Sequence, residues 1–192
     1  GIKYKTQDRY EYKQVFFGLC LKIKNSLSEK GIDLNKCILI DWDKIDDNND
    51  LKSFLYLFPL DDNTLFLEET VLLTFINDDD KYTELFRRLR NRLKKLDLEL
   101  DSIEEIEFDW IPMNKNIPSN DSLSFGVGQC GNIINTLSGY TIGYNIYHIP
   151  EICDLIIKND FDTKKVVDKF WCFKRRLIYR INLIGLNMMN SL

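Results

Sequence analysis

The chain has 192 residues, 26 basic and 30 acidic, a formal charge of −4, and 44% hydrophobic content. This is enough for one ordinary domain or most of two small ones with a sizeable core, and a charged fraction of 29% argues against wholesale disorder. The acidic balance excludes broad nucleic-acid binding, which needs a basic footprint.

In chain order, Gln14 to Ile23 is β-branched, aromatic or apolar and predicts a buried strand. A polar linker over 24–36 leads to a second strand, 37–42, and an acidic loop, 43–50. The third strand is predicted at 53–59. Asp61-Asp62-Asn63 is a turn cluster, and 64–70 returns as the fourth strand, the short connection making an antiparallel hairpin. Asp78 to Asp80 supplies an N-terminal helix signal for residues 81–96, where Leu85, Phe86, Leu89 and Leu93 fall at helical spacing. Its basic residues, Arg87, Arg88, Arg90, Arg92, Lys94 and Lys95, are expected on a solvated face. A strand over 102–110, a proline-containing loop, and a short strand over 122–126 follow. Beyond a glycine-containing loop, a helix is predicted near 140–148. Pro150 is expected to start a new helix, and 163–189 to be largely helical. Consecutive strands, one helix, a strand, then helices make an α+β pattern rather than alternating βαβ units.

The five cysteines form no CxxC pair and there is one histidine, so no zinc site is expected and the thiols are read as buried in a reducing compartment. Alanine is absent, which no folding rule requires and which is read as coding bias in an AT-rich genome. The first residue is Gly1, so the chain is expected to be a segment of something longer. No signal or transit peptide is recognisable, and no apolar stretch is long enough to span a bilayer. A soluble or peripherally bound intracellular domain is expected.

Gly126-Val-Gly-Gln-Cys-Gly131 satisfies GxGxxG but lacks the βαβ context of a dinucleotide site, which leaves a close approach of backbone to some ligand. His148 reads as a structural histidine, and Trp42, Trp110 and Trp171 as core residues. Glu68 and Glu69 are adjacent within an otherwise apolar strand, so they point to opposite faces and at least one is expected to enter an interior. A hydrogen-bonded structural glutamate and a functional acid are both compatible with that.

Six collinear segments carry a family resemblance. Phe66-Leu-Glu-Glu-Thr70, preceded by Phe54-Leu-Tyr-Leu-Phe-Pro59, resembles the FLEET block of plant and cyanobacterial lycopene cyclases. Tyr12-Lys-Gln-Val-Phe-Phe-Gly18 is similar to "YQVAYG", Ile40-Asp-Trp42 to "MDW", and Ile111-Pro-Met113 to "IPMGG". Ser124 to Tyr140 is similar to "GFGAAAGMVHPATGY", and Trp171, Arg175, Arg176 and Gly185 suit the family's C-terminal helices. Asn114 and Lys115 replace the glycines of "MGG", and Asn135-Thr136 replaces the histidine-proline pair.

The resemblance implies an α+β fold: the antiparallel substrate-domain sheet and C-terminal helices of an FAD-dependent flavoprotein, with the N-terminal Rossmann layer outside this chain. Without that layer the chain is expected not to hold FAD alone. The implied regions are a substrate-binding sheet with its helix (1–110), a flavin-contacting return segment (111–150) and a C-terminal helical region (151–192). The implied activity closes the linear ends of lycopene into β or ε rings by acid catalysis, without net oxidation. It uses reduced FAD, with NAD(P)H as reductant. Glu68 is the implied acid with Glu69 second. Trp42 and Phe66 are implied at the substrate, and Gly126, Gly128, Gly139 and Tyr140 at the flavin, with no metal and no nucleic acid. Peripheral membrane contact is implied, in a plastid for a eukaryotic source or otherwise on the cytoplasmic face of a membrane. The competing readings are an inactive fragment that binds a carotenoid or a partner, and a hydroxylase or isoprenoid reductase of the same fold.

Overall fold

The computed structural model describes residues 12–43, 51–75, 80–121 and 123–190. The acidic residues at 44–50, Asp78 and Asp79 of the helix signal, and Ser122 lie outside them. The chain divides into two compact units, one of residues 14–110 and the other built on Ile111 onward with Tyr12 and Lys13.

Among the described residues the first unit contains five strands and a helix: β1 (Tyr12–Ile23), β2 (Ile38–Asp41), β3 (Ser53–Pro59), β4 (Thr64–Phe75), α1 (Asp80–Lys95) and β5 (Leu100–Pro112). They form one sheet in the order β2-β3-β4-β1-β5. β2, β3 and β4 pair antiparallel, with Tyr56 opposite Glu68 and Leu55 opposite Glu69. The Ile23 N–H at the end of β1 donates to Asn63 O, just before β4, and Lys24 N–H donates to Glu99 O, just before β5. Each of these neighbours therefore also runs antiparallel, and the sheet is antiparallel throughout. Together with the helices it makes the α+β class expected from the order of elements.

Period-two alternation sends Leu19, Leu21 and Ile23 of β1, Leu55 and Leu57 of β3, and Leu65 and Leu67 of β4 to one face, where they pack on Leu89 and Leu93 of α1. Each buried leucine contributes about 1.5–3 kcal/mol over an exposed one. Helix α1 ends because Asp97 adopts a left-handed φ of 54°. Its N–H then reaches Lys94 O, while Leu98 N–H reaches Leu93 O and Leu98 is buried with Leu93. That is a Schellman closure with its apolar contact.

The solvated basic face expected of α1 needs correction. Arg88 and Arg92 are buried, at 6% and 2% exposure, because they lie one turn apart beside Leu85 and Leu89 and meet acceptors from the sheet. Arg92 Nε lies 3.2 Å from Glu69 Oε2 and its Nη1 3.3 Å from Asp41 Oδ2. Arg88 Nη1 donates to Ser53 Oγ at 2.7 Å, and Ser53 Oγ donates onward to Glu69 Oε1 at 2.5 Å. The outer side keeps Glu84, which the Arg87 guanidinium and then Arg88 hold down to about 2.

Among the described residues the second unit holds a one-turn 3₁₀ segment at Gly128–Gly131 and three helices, α2 (Ile142–Lys158), α3 (Thr163–Phe170) and α4 (Phe173–Asn190). Ile133, Ile152, Val167, Phe170 and Trp171 form its core. Asp162 caps α3 by accepting the Lys165 N–H. Three expectations fail here. Cys130, Cys153 and Cys172, expected to be buried, are exposed. Of the strand expected at 122–126, the described residues 123–126 are not a strand: Phe125 packs into the helical core, and the backbone of Gly126 lies so close to Gly131 that a Cβ at Gly131 would meet Gly126 O at 2.0 Å. Pro150 does not start a helix but lies inside α2. It removes one backbone donor, yet His148 and Ile152, four residues apart across it, are buried on one face, and that packing holds the helix continuous.

Removing the Arg92 guanidinium leaves Glu69 buried without its ion-pair partner. Arg92→Ala is expected to cost about 3–5 kcal/mol, against less than about 1 kcal/mol for the more exposed Arg87→Ala. Urea denaturation of both variants beside the parent protein checks this, and equal midpoints for the two would contradict it.

Candidate active site

The sheet face opposite α1 carries an aromatic row. Trp42 meets Phe54 edge-on at 4.9 Å, Phe54 meets Tyr56 at 5.3 Å, and Phe58 lies 6.2 Å from both Tyr56 and Phe66. Alternation produces it: Phe54, Tyr56 and Phe58 are the residues of β3 that do not face the helix, and Phe66 is their counterpart on β4. Phe66 lies over β1 because residue 18 is glycine; a Cβ there would meet the Phe66 ring at 2.7 Å. Trp42 is half exposed rather than in the core, as is the margin residue Trp110, whereas Trp171 is buried.

Glu68 stands in this row, opposite Tyr56 and half-buried. Its Oε1 accepts from Thr70 Oγ1 at 2.7 Å. Burial pushes its carboxyl above the usual range, the Thr70 hydroxyl opposes that, and the negative charge of Glu107 adds to it. Glu69, its neighbour, is fully buried on the reverse face and committed to Ser53 and Arg92. One glutamate therefore presents a poorly solvated carboxyl beside aromatic rings, and the other is an ion-paired anchor. Arg88, Arg92 and Ser53 were missed by sequence reasoning. The i, i+4 arginines beside leucines were the available signal.

The sequence-predicted cofactor residues lie in the second unit, and Glu68, Glu69, Trp42 and Phe66 in the first. Gly128 and Gly139 take left-handed φ values of 61° and 72°. Gly128 N–H donates to Asn145 Oδ1 at 3.1 Å, and Asn145 Nδ2 donates to Thr141 O at 2.7 Å, so this side chain ties the glycine segment to the start of α2. Asn135 organises the turn before Gly139: its Oδ1 accepts from Leu137 N–H at 3.0 Å and its carbonyl accepts from Gly139 N–H at 2.8 Å. Tyr140 is exposed. The α2 N-terminus has no side-chain cap and no acidic residue in its first turn, and both polar atoms of the buried Asn132 side chain lack a partner. Free helical N–H groups and an unsatisfied amide fit the polar, anionic edge of a ring ligand.

His148 is buried against Tyr144, Tyr147 and Phe170, and desolvation, with Arg175, lowers its pKa against the pull of Glu151. It packs as a structural histidine. No group able to hold a metal is found among the described residues. An open depression of about 780 Å³ on the first unit, at Lys22, Lys24, Asp61, Asp62 and Asp101, includes none of the sequence-predicted site residues.

The family model described as "Lycopene cyclase protein" matches residues 1–191. The chain is 29% identical over 154 residues to the chloroplastic lycopene beta cyclase of Solanum lycopersicum, covering 76% of this chain and 30% of that protein. It is 26% identical to the chloroplastic neoxanthin synthase of Solanum tuberosum, covering 100% of this chain and 41% of that protein. It is 27% identical to the chromoplastic capsanthin/capsorubin synthase of Capsicum annuum, covering 86% and 34%. The chain thus spans less than half the length of these curated relatives. Among solved structures, a geranylgeranyl bacteriochlorophyll reductase-like protein from Thermoplasma acidophilum matches with a TM-score of 0.54 at 12% identity, over 100% of this chain and 47% of that one. This last likeness concerns the fold.

A raised carboxyl pKa has a consequence for stability. Below its unfolded value, 4.5, Glu68 is protonated in both states; as pH rises through the folded value, ionisation favours the unfolded chain, so stability falls. Glu68→Gln is expected to flatten that decline, while Glu84, depressed to about 2, keeps its own loss at acid pH. Denaturation midpoints from pH 4 upward read this out, and an unchanged slope in the variant would contradict it.

Proposed function

The chain belongs to the lycopene cyclase protein family, and we propose that it contributes the proton-donating face of an enzyme that closes the linear ends of lycopene into rings. The observation that carries this reading is the asymmetry of β4: Glu68 beside the aromatic row with a raised pKa, Glu69 neutralised behind the sheet.

Ring closure needs a protonated acid, exclusion of water, and π or negative density around a cation. Glu68 supplies the first. Thr70 Oγ1 donates to Oε1, which leaves Oε2 to carry the transferable proton. That proton adds to the terminal double bond, and the resulting tertiary cation is attacked by a neighbouring double bond. Tyr56, opposite Glu68, with Phe58 and Phe66 lines the acid with rings, and Phe54 and then Trp42 extend the row away from it. A cation over such a face gains about 0.5–2 kcal/mol as water is excluded. Glu69 and Arg92 hold β4 so that Glu68 faces the rings.

Gly126, Gly128, Gly139 and Tyr140 are assigned to the flavin end of FAD, with the α2 N-terminus and Asn132 offering donors. Reduced flavin, when bound, supplies negative charge that favours the cationic stage; NAD(P)H is its reductant. Chloroplastic and chromoplastic relatives support a plastid setting. No helix among the described residues is long and apolar enough to cross a membrane. Peripheral contact is assigned to α4, where Phe173, Leu177, Ile181, Ile184 and Met188 are exposed at helical spacing and the helix carries basic residues without acidic ones in its described sequence.

In the full-length protein, Glu68→Gln is expected to reduce ring formation by at least about 10²–10⁴-fold, because an amide has no proton to donate. Glu69→Gln is expected to lower stability while retaining cyclisation per folded molecule. Carotenoid chromatography from a lycopene-accumulating bacterial host at matched folded protein tests both. Near-normal rings from Glu68→Gln with loss in Glu69→Gln would move the acid to the reverse face.

For α4, co-sedimentation with vesicles containing anionic lipid is expected for the parent protein and markedly weakened in Leu177→Glu/Ile181→Glu. Equal sedimentation of the two would remove α4 from the membrane contact.

A further inference from the structure

The sheet brings a second carboxylate to the same site. β1 lies between β4 and β5, and at Gly18 it has no side chain. A Cβ built there would meet the Phe66 ring at 2.7 Å on one side and Glu107 Cβ at 3.7 Å on the other. Phe66 of β4 and Glu107 of β5 therefore flank one gap on one face of the sheet. Counting five residues back along β1 and five forward along β4 from the Ile23–Asn63 hydrogen bond brings Gly18 level with Glu68. Glu68, Gly18 and Glu107 thus form a row across three strands, with the β4 and β5 backbones about 10 Å apart. The field of Glu107 reaches Glu68 across the gap. Unlike Glu104, which pairs with Lys22 and accepts from Ser102, Glu107 makes no hydrogen bond or ion pair among the described residues, and it is exposed.

We propose that Glu107 is a second catalytic carboxylate, the base that takes up the proton released when the ring closes; this rests on Glu68 being the acid. The two glutamates sit in different environments, half-buried under aromatic rings and exposed, as an acid and a base require. In the first step the Glu68 O–H bond breaks and a C–H bond forms at the end of the linear chain. The neighbouring double bond then forms the ring C–C bond and moves the charge onto a ring carbon. A C–H bond beside that carbon breaks, its electron pair becomes the ring double bond, and its proton goes to the Glu107 carboxylate. Glu68 has lost one proton and Glu107 has gained one. Return of that proton across Gly18 resets the pair, with no oxidant or reductant consumed.

The two roles separate in heavy water. In full-length protein carrying Glu107→Gln, protonation by Glu68 is retained, so recovered lycopene is expected to carry deuterium while ring formation falls by about 10²–10⁴-fold. In Glu68→Gln, neither deuterium uptake nor ring formation is expected. Circular dichroism and thermal melting confirm that both variants are folded before rates are compared. Wild-type rate and ring product from Glu107→Gln would overturn the base role while leaving Glu68 in place. Loss of both deuterium uptake and rings in a folded Glu107→Gln would also overturn it, since Glu107 would then act before ring closure. Normal cyclisation by Glu68→Gln would remove the acid, and the pair with it.

Discussion

Two adjacent carboxylates in one strand cannot share an environment, and the arrangement of the first unit depends on how Glu68 and Glu69 are separated. Strand alternation places them on opposite faces of β4. The reverse face is the leucine core under α1, where an unpaired carboxylate would be too costly to bury. Arg92 and Ser53 meet it there, with Arg88 holding Ser53 and Asp41 sharing Arg92. β2, β3, β4 and α1 are thus joined through one polar chain inside an otherwise apolar layer.

The consequence on the open face is chemical. With Glu69 committed to the interior, Glu68 is left beside aromatic rings and the hydroxyl of Thr70, without a basic partner among the described residues. Desolvation without a counter-charge is what keeps a carboxyl protonated. The same alternation supplies the rings, and the missing side chain at Gly18 gives Phe66 its seat and opens the line to Glu107. The half-buried Glu68 carboxyl, its apolar surroundings and its carboxylate neighbour across β1 all follow from residue parity on β1, β3, β4 and β5.

Much of this was readable before any coordinates. The third strand, 53–59, coincides with β3, and strong alternation told that Glu68 and Glu69 diverge and that one enters an interior. What escaped depended on partners distant in sequence. Arg88 and Arg92 read as solvated because their acceptors lie on β2, β3 and β4, and only the folded sheet brings those to α1. Pro150 read as a helix start because local rules cannot weigh one lost hydrogen bond against the burial of His148 and Ile152 on either side of it. Residues 122–126 read as a strand from local pattern, but Phe125 is claimed by the helical core. Asn145 as the clamp on Gly128 had no sequence signal beyond an asparagine in the first turn of a helix.

If Glu68 is the proton donor, its carboxyl stays protonated where ordinary glutamates are ionised. Infrared difference spectroscopy on the folded protein measures this directly, through the C=O stretch of a protonated carboxyl followed as pH rises from 4. The expected result is a band that persists above the usual glutamate range, vanishes in Glu68→Gln, and survives in Glu69→Gln. A band that disappears near the ordinary glutamate value, or one that Glu68→Gln leaves intact, would contradict it.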